Sequence, residues 1–155
     1  MSLSTLPLRR GTLALSALPA SPEARAALVA FAPDLVVSLT PEGERAALGA
    51  ANLPDWLAAR GIGWHPFPIE DFATPAEGAD WPALGQAAAA LLDRGGRLLI
   101  HCRAGLGRSG MIALRLMVEA GEAPEPALAR LRAARPGAVE TPAQYLWATG
   151  QHTGP

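Results

Sequence analysis

The sequence has 155 residues, a length that predicts one domain with a sizeable core. Half of the residues are hydrophobic and 17% are charged, which excludes a chain disordered by low hydrophobicity. The net charge of −1 disfavours a broad nucleic-acid-binding surface, and no apolar stretch is long enough to predict a membrane-spanning helix. The single cysteine cannot form an internal disulfide, and the N-terminal residues do not resemble a signal peptide. We therefore expect a cytoplasmic protein.

Prolines, glycines and apolar runs divide the chain into alternating strands and helices. Strands are predicted over 12–17, 34–39, 62–67 and 97–101. Helices are predicted over 22–31, from 41 onward, and over 53–60, 84–92, 108–120, 124–134 and 142–148. The stretch 66–83 is rich in proline and acid and predicts a surface loop, and the residues after 148 predict a frayed tail. This alternation predicts an α/β fold in one domain over 1–155, with a central, mostly parallel sheet flanked by helices on both faces.

A glycine-rich turn follows the predicted strand at 97–101 and opens the next helix. Its letters at 105–110 match the G-x-G-x-x-G dinucleotide-binding fingerprint. That fingerprint requires the first strand of a βαβ unit and an acidic residue about 20 positions further on. Here the turn follows a late strand, and the region around Arg130 is helical and basic. The dinucleotide interpretation is therefore disfavoured.

The same turn contains Cys102, five intervening residues, and then Arg108 and Ser109. A loop of this kind between a strand and a helix directs successive backbone N–H groups inward and forms a nest for a tetrahedral oxyanion. Arg108 can direct two N–H donors at phosphate oxygens. The positive potential of these N–H groups and of Arg108 also stabilises a thiolate. We therefore expect Cys102 to be ionised at neutral pH and to attack phosphorus. The Ser109 hydroxyl is expected to stabilise the sulfur when it leaves.

The letters HCRAGLGRSG at 101–110 closely resemble the H-C-x-x-G-x-x-R-[ST]-G motif of the protein tyrosine phosphatase superfamily. They are most similar to its compact dual-specificity branch, which includes kinase-associated phosphatases. The resemblance implies the cysteine phosphatase fold, a cysteinyl-phosphate intermediate, and neither a metal nor a cofactor. It also makes His101 a supporting residue beside the nucleophile. The substrate contacts that it implies come from Arg103, Ala104, Gly105, Leu106 and Gly107.

The family's general acid is an aspartate on a loop before the cysteine, in a sequence motif similar to FPIEDFATP at 67–75. The resemblance assigns this role to Asp71. A general acid accelerates departure of an alkoxide by about 10²–10⁴-fold. The neighbouring Glu70 is the alternative acid, and we expect it to face solvent. Phe72, beside the acid, is expected to line the substrate cleft.

Near the C-terminus, RPGAVETPAQYLW at 135–147 resembles the family segment that carries a water-positioning glutamine. By this resemblance Gln144 orients the hydrolytic water, and Thr141 is a helix cap or a supporting contact. The three histidines are not closely spaced, and with one cysteine they do not predict a zinc site. We expect His65 and His152 to be structural.

Other families use similar cysteine loops. A rhodanese-type sulfurtransferase does not need Arg108 followed by Ser109, and arsenate reductases need further redox cysteines or an external thiol. Low-molecular-weight phosphatases place the acid after the cysteine, whereas Asp71 precedes Cys102. A phosphate-binding module without turnover would keep the loop but lack the cysteine, the arginine or the acid. The sequence therefore favours a phosphatase, with the module as an alternative.

The expected substrate is a phosphorylated protein or a small aryl phosphate. No inserted segment deepens the cleft, so phosphoserine and phosphothreonine are expected beside phosphotyrosine. Phosphoinositides, nucleotides and RNA 5′ phosphates remain alternative substrates, but the loop carries only Arg103 as an extra basic residue. We expect neither nucleic acid nor membrane as a partner, and the sequence leaves the oligomeric state open.

Overall fold

A computed structural model describes residues 3–150. Along the described residues the chain alternates between strands and helices for most of its length. The strands are β1 (Ser4–Leu8), β2 (Gly11–Ser16), β3 (Leu35–Ser38), β4 (Gly63–Pro66) and β5 (Arg97–His101). The helices are α1 (Pro22–Phe31), α2 (Glu42–Ala47), α3 (Leu53–Ala59), α4 (Trp81–Asp93), α5 (Gly107–Glu119), α6 (Pro124–Ala134) and α7 (Pro142–Thr149).

The strands form one five-stranded sheet in the order β1-β2-β5-β3-β4. Strand β5 lies in the centre and pairs in parallel with β2 on one side and with β3 on the other. Strand β4 continues the parallel arrangement beside β3, whereas β1 pairs with β2 in the antiparallel direction. The predicted mostly parallel sheet is confirmed.

Side chains alternate between the two faces of the sheet, and each face is covered by helices. Leu13, Leu98 and Ile100 belong to the core cluster that contains buried residues of α4, α5 and α6. Ala14 and Leu99, which are adjacent to them in sequence, belong to the cluster that contains buried residues of α1 and α3. This alternation is the period-two pattern of a strand that is buried on both sides. The predicted helical layers on both faces are confirmed.

Two elements differ from the sequence-based expectations. Strand β1 was not predicted, because it is short and contains Pro7. Proline is tolerated there because β1 is an edge strand. Helix α4 begins at Trp81 rather than at 84, because the Asp80 side chain accepts a hydrogen bond from the Ala83 N–H and Pro82 fits the first turn. The surface loop is thus residues 67–80, called the acid loop below.

The parallel strands end at one edge of the sheet. His101, the last residue of β5, is in register with Ser16 of β2 and with Ser38 of β3. The residues that follow β2, β3 and β5 therefore converge at this edge, which is where α/β sheets bind ligands. Over residues 3–150 no helix is long and apolar enough to cross a membrane. Nor do three or more His, Cys, Asp or Glu side chains cluster there as a metal site would require.

Candidate active site

The phosphate loop, residues 102–108, connects the central strand β5 to the first turn of α5. Within it, the Gly105 N–H donates a hydrogen bond to Cys102 Sγ at 3.2 Å. Gly105 has a φ of +76°, and a Cβ at this position would lie 2.4 Å from the carbonyl carbon of Ser16. Only glycine therefore fits here. The close approach of Gly105 to β2 holds the loop curled around the sulfur.

Arg108 lies at the base of the loop and is nearly inaccessible, with 1% of its side chain exposed. Its Nη1 and Nη2 donate to the two carboxylate oxygens of Glu44 in α2, at 2.9 and 2.8 Å. Nη1 also donates to the Ile69 carbonyl at 2.9 Å. Burial opposes the charge, but the hydrogen bond with Glu44 and the charges of Cys102, Glu44 and Asp71 raise the pKa of Arg108 above its ordinary value. The guanidinium is permanently charged and fixed in orientation.

The acid loop brings Asp71 to the same guanidinium. Asp71 Oδ1 lies 3.2 Å from Arg108 Nη2, and 40% of the Asp71 side chain is exposed. The same oxygen accepts the Phe72 N–H at 3.0 Å. Glu70 is exposed, as expected. Of the two adjacent carboxylates, only that of Asp71 is ion-paired with Arg108.

A second buried arginine supports the phosphate loop from behind. Arg135, at the C-terminal end of α6, donates from Nε to the Gly105 carbonyl at 3.1 Å and from Nη2 to the Ala104 carbonyl at 3.0 Å. A third donor, Nη1, reaches Ser4 Oγ in β1 at 3.2 Å. Burial lowers the pKa of Arg135, and the electrostatic interaction with Cys102 acts in the opposite direction. Arg135 therefore fixes two carbonyls of the loop and places a positive charge behind it.

His101 is fully buried behind the nucleophile and joins the loop to the neighbouring strands. Its Nδ1 lies 3.4 Å from the Cys102 carbonyl, and its Nε2 is hydrogen-bonded to Ser38 Oγ. Ser38 Oγ in turn accepts the Trp64 indole N–H at 2.8 Å. Burial lowers the pKa of His101 to about 4, with a smaller opposing effect from the Cys102 carbonyl. The ring is neutral at pH 7. Because the Cys102 carbonyl can only accept a hydrogen bond, Nδ1 carries the proton and Nε2 accepts from the Ser38 hydroxyl.

Two polar atoms of the loop region are buried without a partner among residues 3–150. They are Arg108 Nε and Ser109 Oγ. The Ser109 hydroxyl makes no hydrogen bond to Cys102 Sγ in this structure. A buried donor without an acceptor costs about 1–3 kcal/mol, and native proteins rarely retain one without a reason. The first turn of α5 thus holds unused hydrogen-bonding capacity next to the loop.

Gln144 lies in the first turn of α7 and is fully buried. Its Oε1 accepts the N–H groups of Glu140 and Thr141, at 2.9 and 3.3 Å. Thr141 Oγ1 accepts the Gln144 N–H at 3.1 Å, which completes a capping box. Gln144 Nε2 donates to the Ala73 carbonyl at 3.3 Å. The predicted cap at Thr141 is confirmed, and Gln144 joins α7 to the acid loop.

A model of the PTP-SAK family, described as a Swiss Army Knife protein, DSP-PTPase phosphatase domain, matches residues 6–146. The match covers β2 to β5 and part of β1, and it includes the acid loop, the phosphate loop and Gln144. The chain belongs to this family. It is a dual-specificity phosphatase domain, and the resemblance stated from its sequence is confirmed.

Comparison with known proteins adds relatives of the same kind. The chain is 36% identical over 106 residues to cyclin-dependent kinase inhibitor 3 of Rattus norvegicus, covering 66% of this chain and 50% of that protein. The chain thus spans about half the length of the curated relatives that it matches first.

Solved structures share the whole fold. A crystal structure of kinase associated phosphatase, with its catalytic site cysteine replaced by serine, superposes with a TM-score of 0.85 at 26% identity, covering 99% of this chain and 98% of the other. The active form of Tk-PTP superposes with a TM-score of 0.78 at 32% identity, covering 97% and 95%. The predicted phosphatase fold is confirmed.

The remaining predicted site residues of the phosphatase domain lie in or beside the two loops. Arg103 and Ala104 are exposed, Leu106 is half-buried, and Gly105 and Gly107 are buried. A Cβ at Gly107 would lie 2.1 Å from Glu140 Oε1, so this glycine admits the close packing of the loop on the segment before α7.

Phe72 and the histidines complete the list of predicted residues. The Phe72 side chain is 60% exposed, and its φ of +63° is unusual for a residue with a large side chain. His65 lies half-buried in β4. His152 lies outside the described residues.

Sequence reasoning missed Glu44 and Arg135. Glu44 lies in a short polar helix, and nothing in the letters distinguishes it from the exposed Glu42. Arg135 had a weak signal, since it follows the last residue of α6 and precedes a Pro-Gly turn. Both residues come from elements distant in sequence from the loop, so only the tertiary structure brings them to it.

Proposed function

We propose that this chain hydrolyses phosphate monoesters through a covalent intermediate on Cys102. The observation that supports this proposal is the position of Arg108, which is fixed by Glu44, lies at the end of the loop that begins with Cys102, and is ion-paired with Asp71. Nucleophile, phosphate-binding cation and proton donor thus occupy one edge of the sheet. Membership of the phosphatase family supports the same assignment.

In the first step, the Cys102 thiolate attacks phosphorus, and an S–P bond forms as the ester P–O bond breaks. Asp71 donates its proton to the departing oxygen, which leaves as an alcohol or phenol. The phosphate oxygens accept hydrogen bonds from Arg108 and from the N–H groups of the loop, including Gly107. A bound oxyanion would also supply the acceptor that Arg108 Nε lacks.

In the second step, water attacks phosphorus, the S–P bond breaks, and the thiolate is restored. Asp71, now a carboxylate, takes a proton from that water. To the Ser109 hydroxyl, which is buried without a partner within residues 3–150, we assign the donation of a hydrogen bond to the sulfur as it leaves. We assign Gln144 to this step through the acid loop, because its amide hydrogen-bonds to the Ala73 carbonyl. In this proposal Gln144 first positions the acid loop and then orients the water.

The proposed substrates are phosphotyrosine and also phosphoserine and phosphothreonine in proteins, or small aryl phosphates. The loop offers Arg103 as its one exposed extra cation, a modest charge for a polyanionic inositol phosphate. Phe72, Arg103, Ala104 and Leu106 are proposed to contact the substrate beyond its phosphate, and of these Leu106 is half-buried and the others are exposed. Turnover of phosphotyrosine and phosphothreonine peptides, compared with that of inositol phosphates, tests this assignment.

Two further points belong to the same proposal. The sheet is shared by both core clusters, which supports a single domain over residues 1–155. The one cysteine of the sequence must stay reduced to act as a nucleophile, which supports a reducing compartment such as the cytoplasm. Phosphorylated substrate, rather than nucleic acid or a membrane, is the proposed partner.

The direct experiment is the hydrolysis of an aryl phosphate by the wild-type protein and by Cys102→Ser. We expect turnover by the wild type, and none by the variant. Binding of inorganic phosphate by the wild type without turnover would instead establish a phosphate-binding module.

A further inference from the structure

A groove between α1 and α3 lies outside the site described above. It has a volume of about 630 Å³. Its floor is apolar and includes Ala26, Val29 and Ala30, and 48% of the Val29 side chain is exposed. Arg25 and Arg60 lie on its sides, with Trp56 between them. An apolar floor beside two cations is the composition of a site for an amphipathic, negatively charged ligand.

The two arginines are held in place without a carboxylate. The Arg60 guanidinium lies 3.9 Å from the centre of the Trp56 ring, and that of Arg25 lies 5.0 Å from it. Arg25 also donates to the Pro19 carbonyl at 3.0 Å and to Asn52 Oδ1 at 2.9 Å. Neither arginine forms an ion pair with any carboxylate within residues 3–150, whereas Arg9, Arg108, Arg115 and Arg130 do.

The positive charges of Arg25 and Arg60 are not balanced by an acidic side chain of α1 or α3 in the groove. The carboxylates of α1 and α3, Glu23 and Asp55, do not line it. Burial lowers the pKa of Arg25, and the nearby charge of Arg60 lowers it further. Both side chains nevertheless remain cationic at neutral pH, because an arginine stays protonated throughout the physiological range. Bringing a carboxylate to the groove relieves the repulsion between them.

The groove is connected to the phosphate loop by a short path. The Leu18 N–H donates to the Arg103 carbonyl at 3.1 Å, and the next residue, Pro19, accepts the hydrogen bond from Arg25. Residues 18–20 thus connect the phosphate loop to the groove through the backbone, and Ala20 lines the groove. Three residues span at most about 11 Å, so residues that flank a phosphorylated residue bound in the loop can reach the groove.

We propose that the groove binds an acidic and partly aliphatic segment of a protein substrate, next to the phosphorylated residue that enters the phosphate loop. The inference rests on the proposed phosphatase function and narrows its substrate class. The aliphatic side chains of the segment cover Val29 and Trp56, and its carboxylates pair with Arg25 and Arg60. A peptide fits this site better than an anionic bilayer does, because the apolar floor lies between the two cations and two cations are few for binding to a membrane surface.

The test compares phosphotyrosine peptides that differ only in their flanking residues. One set carries Glu and Leu on the N-terminal or the C-terminal side, and the matched set carries Gln and Leu. Because the readout is the ratio of kcat/KM for acidic and neutral peptides, a general loss of activity cancels. We expect the wild type to prefer one acidic peptide by about tenfold at low salt, as two partly exposed ion pairs would give. Raising the ionic strength to 1 M should abolish most of this preference.

The Arg25→Gln and Arg60→Gln double variant should reduce the preference to about twofold or less. Arg94→Gln, which removes an exposed arginine at the end of α4, should retain it. Arg60→Gln alone provides a second variant, because within residues 3–150 the Arg60 side chain hydrogen-bonds only to the Trp56 carbonyl in the preceding turn of α3. Arg60→Glu should shift the preference toward a peptide with Lys in place of Glu.

An equal ratio in the wild type and the double variant would overturn the proposal. So would an equal loss in Arg94→Gln. Binding of phosphatidylserine vesicles, or self-association, that depends on Arg25 and Arg60 without any peptide preference would assign the groove to a membrane or to a second copy of the chain. If aryl phosphate is not hydrolysed, the fluorescence anisotropy of the labelled, unphosphorylated acidic peptide measures directly whether the groove binds an acidic segment. Binding that the double variant loses supports the groove, and binding that it retains refutes it.

Discussion

Glu44 holds both terminal nitrogens of Arg108 through hydrogen bonds of 2.9 and 2.8 Å. The pair joins α2 to the first turn of α5, and it leaves the guanidinium plane fixed before any substrate arrives. Removing one partner of a buried ion pair leaves the other charge uncompensated, which typically costs about 3–5 kcal/mol. Glu44 therefore belongs to the site although it does not touch the nucleophile.

We predict that Glu44→Gln lowers kcat/KM for an aryl phosphate by about 10- to 100-fold, since a misplaced positioning group has effects of this size. The loss should fall on both phosphate binding and turnover, because Arg108 serves both. The matched control is Glu42→Gln, an exposed residue of the same helix, which should behave as the wild type. Equal activity of the two variants would remove Glu44 from the site.

The role of Asp71 predicts a dependence on the leaving group. Asp71→Asn should lower kcat/KM, which reports the first step, by about 100-fold for an alkyl or phenyl ester and much less for p-nitrophenyl phosphate, since only a poor leaving group needs the proton. Glu70→Gln is the adjacent control and should be neutral. If Glu70→Gln produces the leaving-group dependence and Asp71→Asn does not, Glu70 is the general acid.

The position of Arg135 behind the phosphate loop predicts an effect on the reactivity of the Cys102 sulfur. The interaction with Cys102 favours the charged form of Arg135, so by reciprocity loss of Arg135 makes a negative charge on the Cys102 sulfur less favourable. Arg135→Gln should therefore slow alkylation of Cys102 by iodoacetamide at pH 7 and move the acid limb of the kcat/KM profile to higher pH. Arg135→Lys keeps the charge and should restore part of both. An unchanged pH profile in Arg135→Gln would reduce Arg135 to a packing role.

The lowered pKa of His101 predicts that the free energy of unfolding decreases in acid. Because burial depresses its pKa from 6.5 to about 4, the unfolded chain binds the proton first as the pH falls. This contribution to the free energy of unfolding is complete above pH 6.5 and is lost between pH 6.5 and about 4, by about 3 kcal/mol. Urea unfolding at pH 7 and pH 4.5 should show a smaller decrease for His101→Gln than for the wild type. His65→Gln, in the neighbouring β4, is the control, and an identical decrease in all three proteins would contradict the prediction.

The central elements of the fold were predictable because the sequence marks them locally. The apolar run of β5, the glycines after it and the periodic apolar residues of α5 indicate a strand, a turn and a helix without reference to the rest of the chain. Strand β1 has no comparable apolar run, since it is short and half exposed and contains a proline. Its pairing with β2 buries its own Leu6 and Leu8 in the core, and this depends on the tertiary structure rather than on the local sequence.

The candidate site was predictable only where its residues are contiguous. Cys102, Arg108 and Ser109 lie in one loop, and their spacing alone predicts an oxyanion nest. Glu44 and Arg135 reach that loop through the packing of α2 and α6, which no local pattern encodes. Gln144 illustrates the intermediate case. Its capping box is readable from Thr141, but its hydrogen bond to the acid loop depends on how α7 packs.

The account depends on a covalent phosphate on Cys102, and mass spectrometry after rapid acid quench measures it most directly. p-Nitrophenyl phosphate, whose leaving group needs no proton from Asp71, mixed with Asp71→Asn, in which hydrolysis of the intermediate is slowed, should leave one phosphate on the peptide that contains Cys102. The same treatment of Cys102→Ser should leave that peptide unmodified and release no phenol. Release of phenol by Cys102→Ser at the wild-type rate would contradict the account.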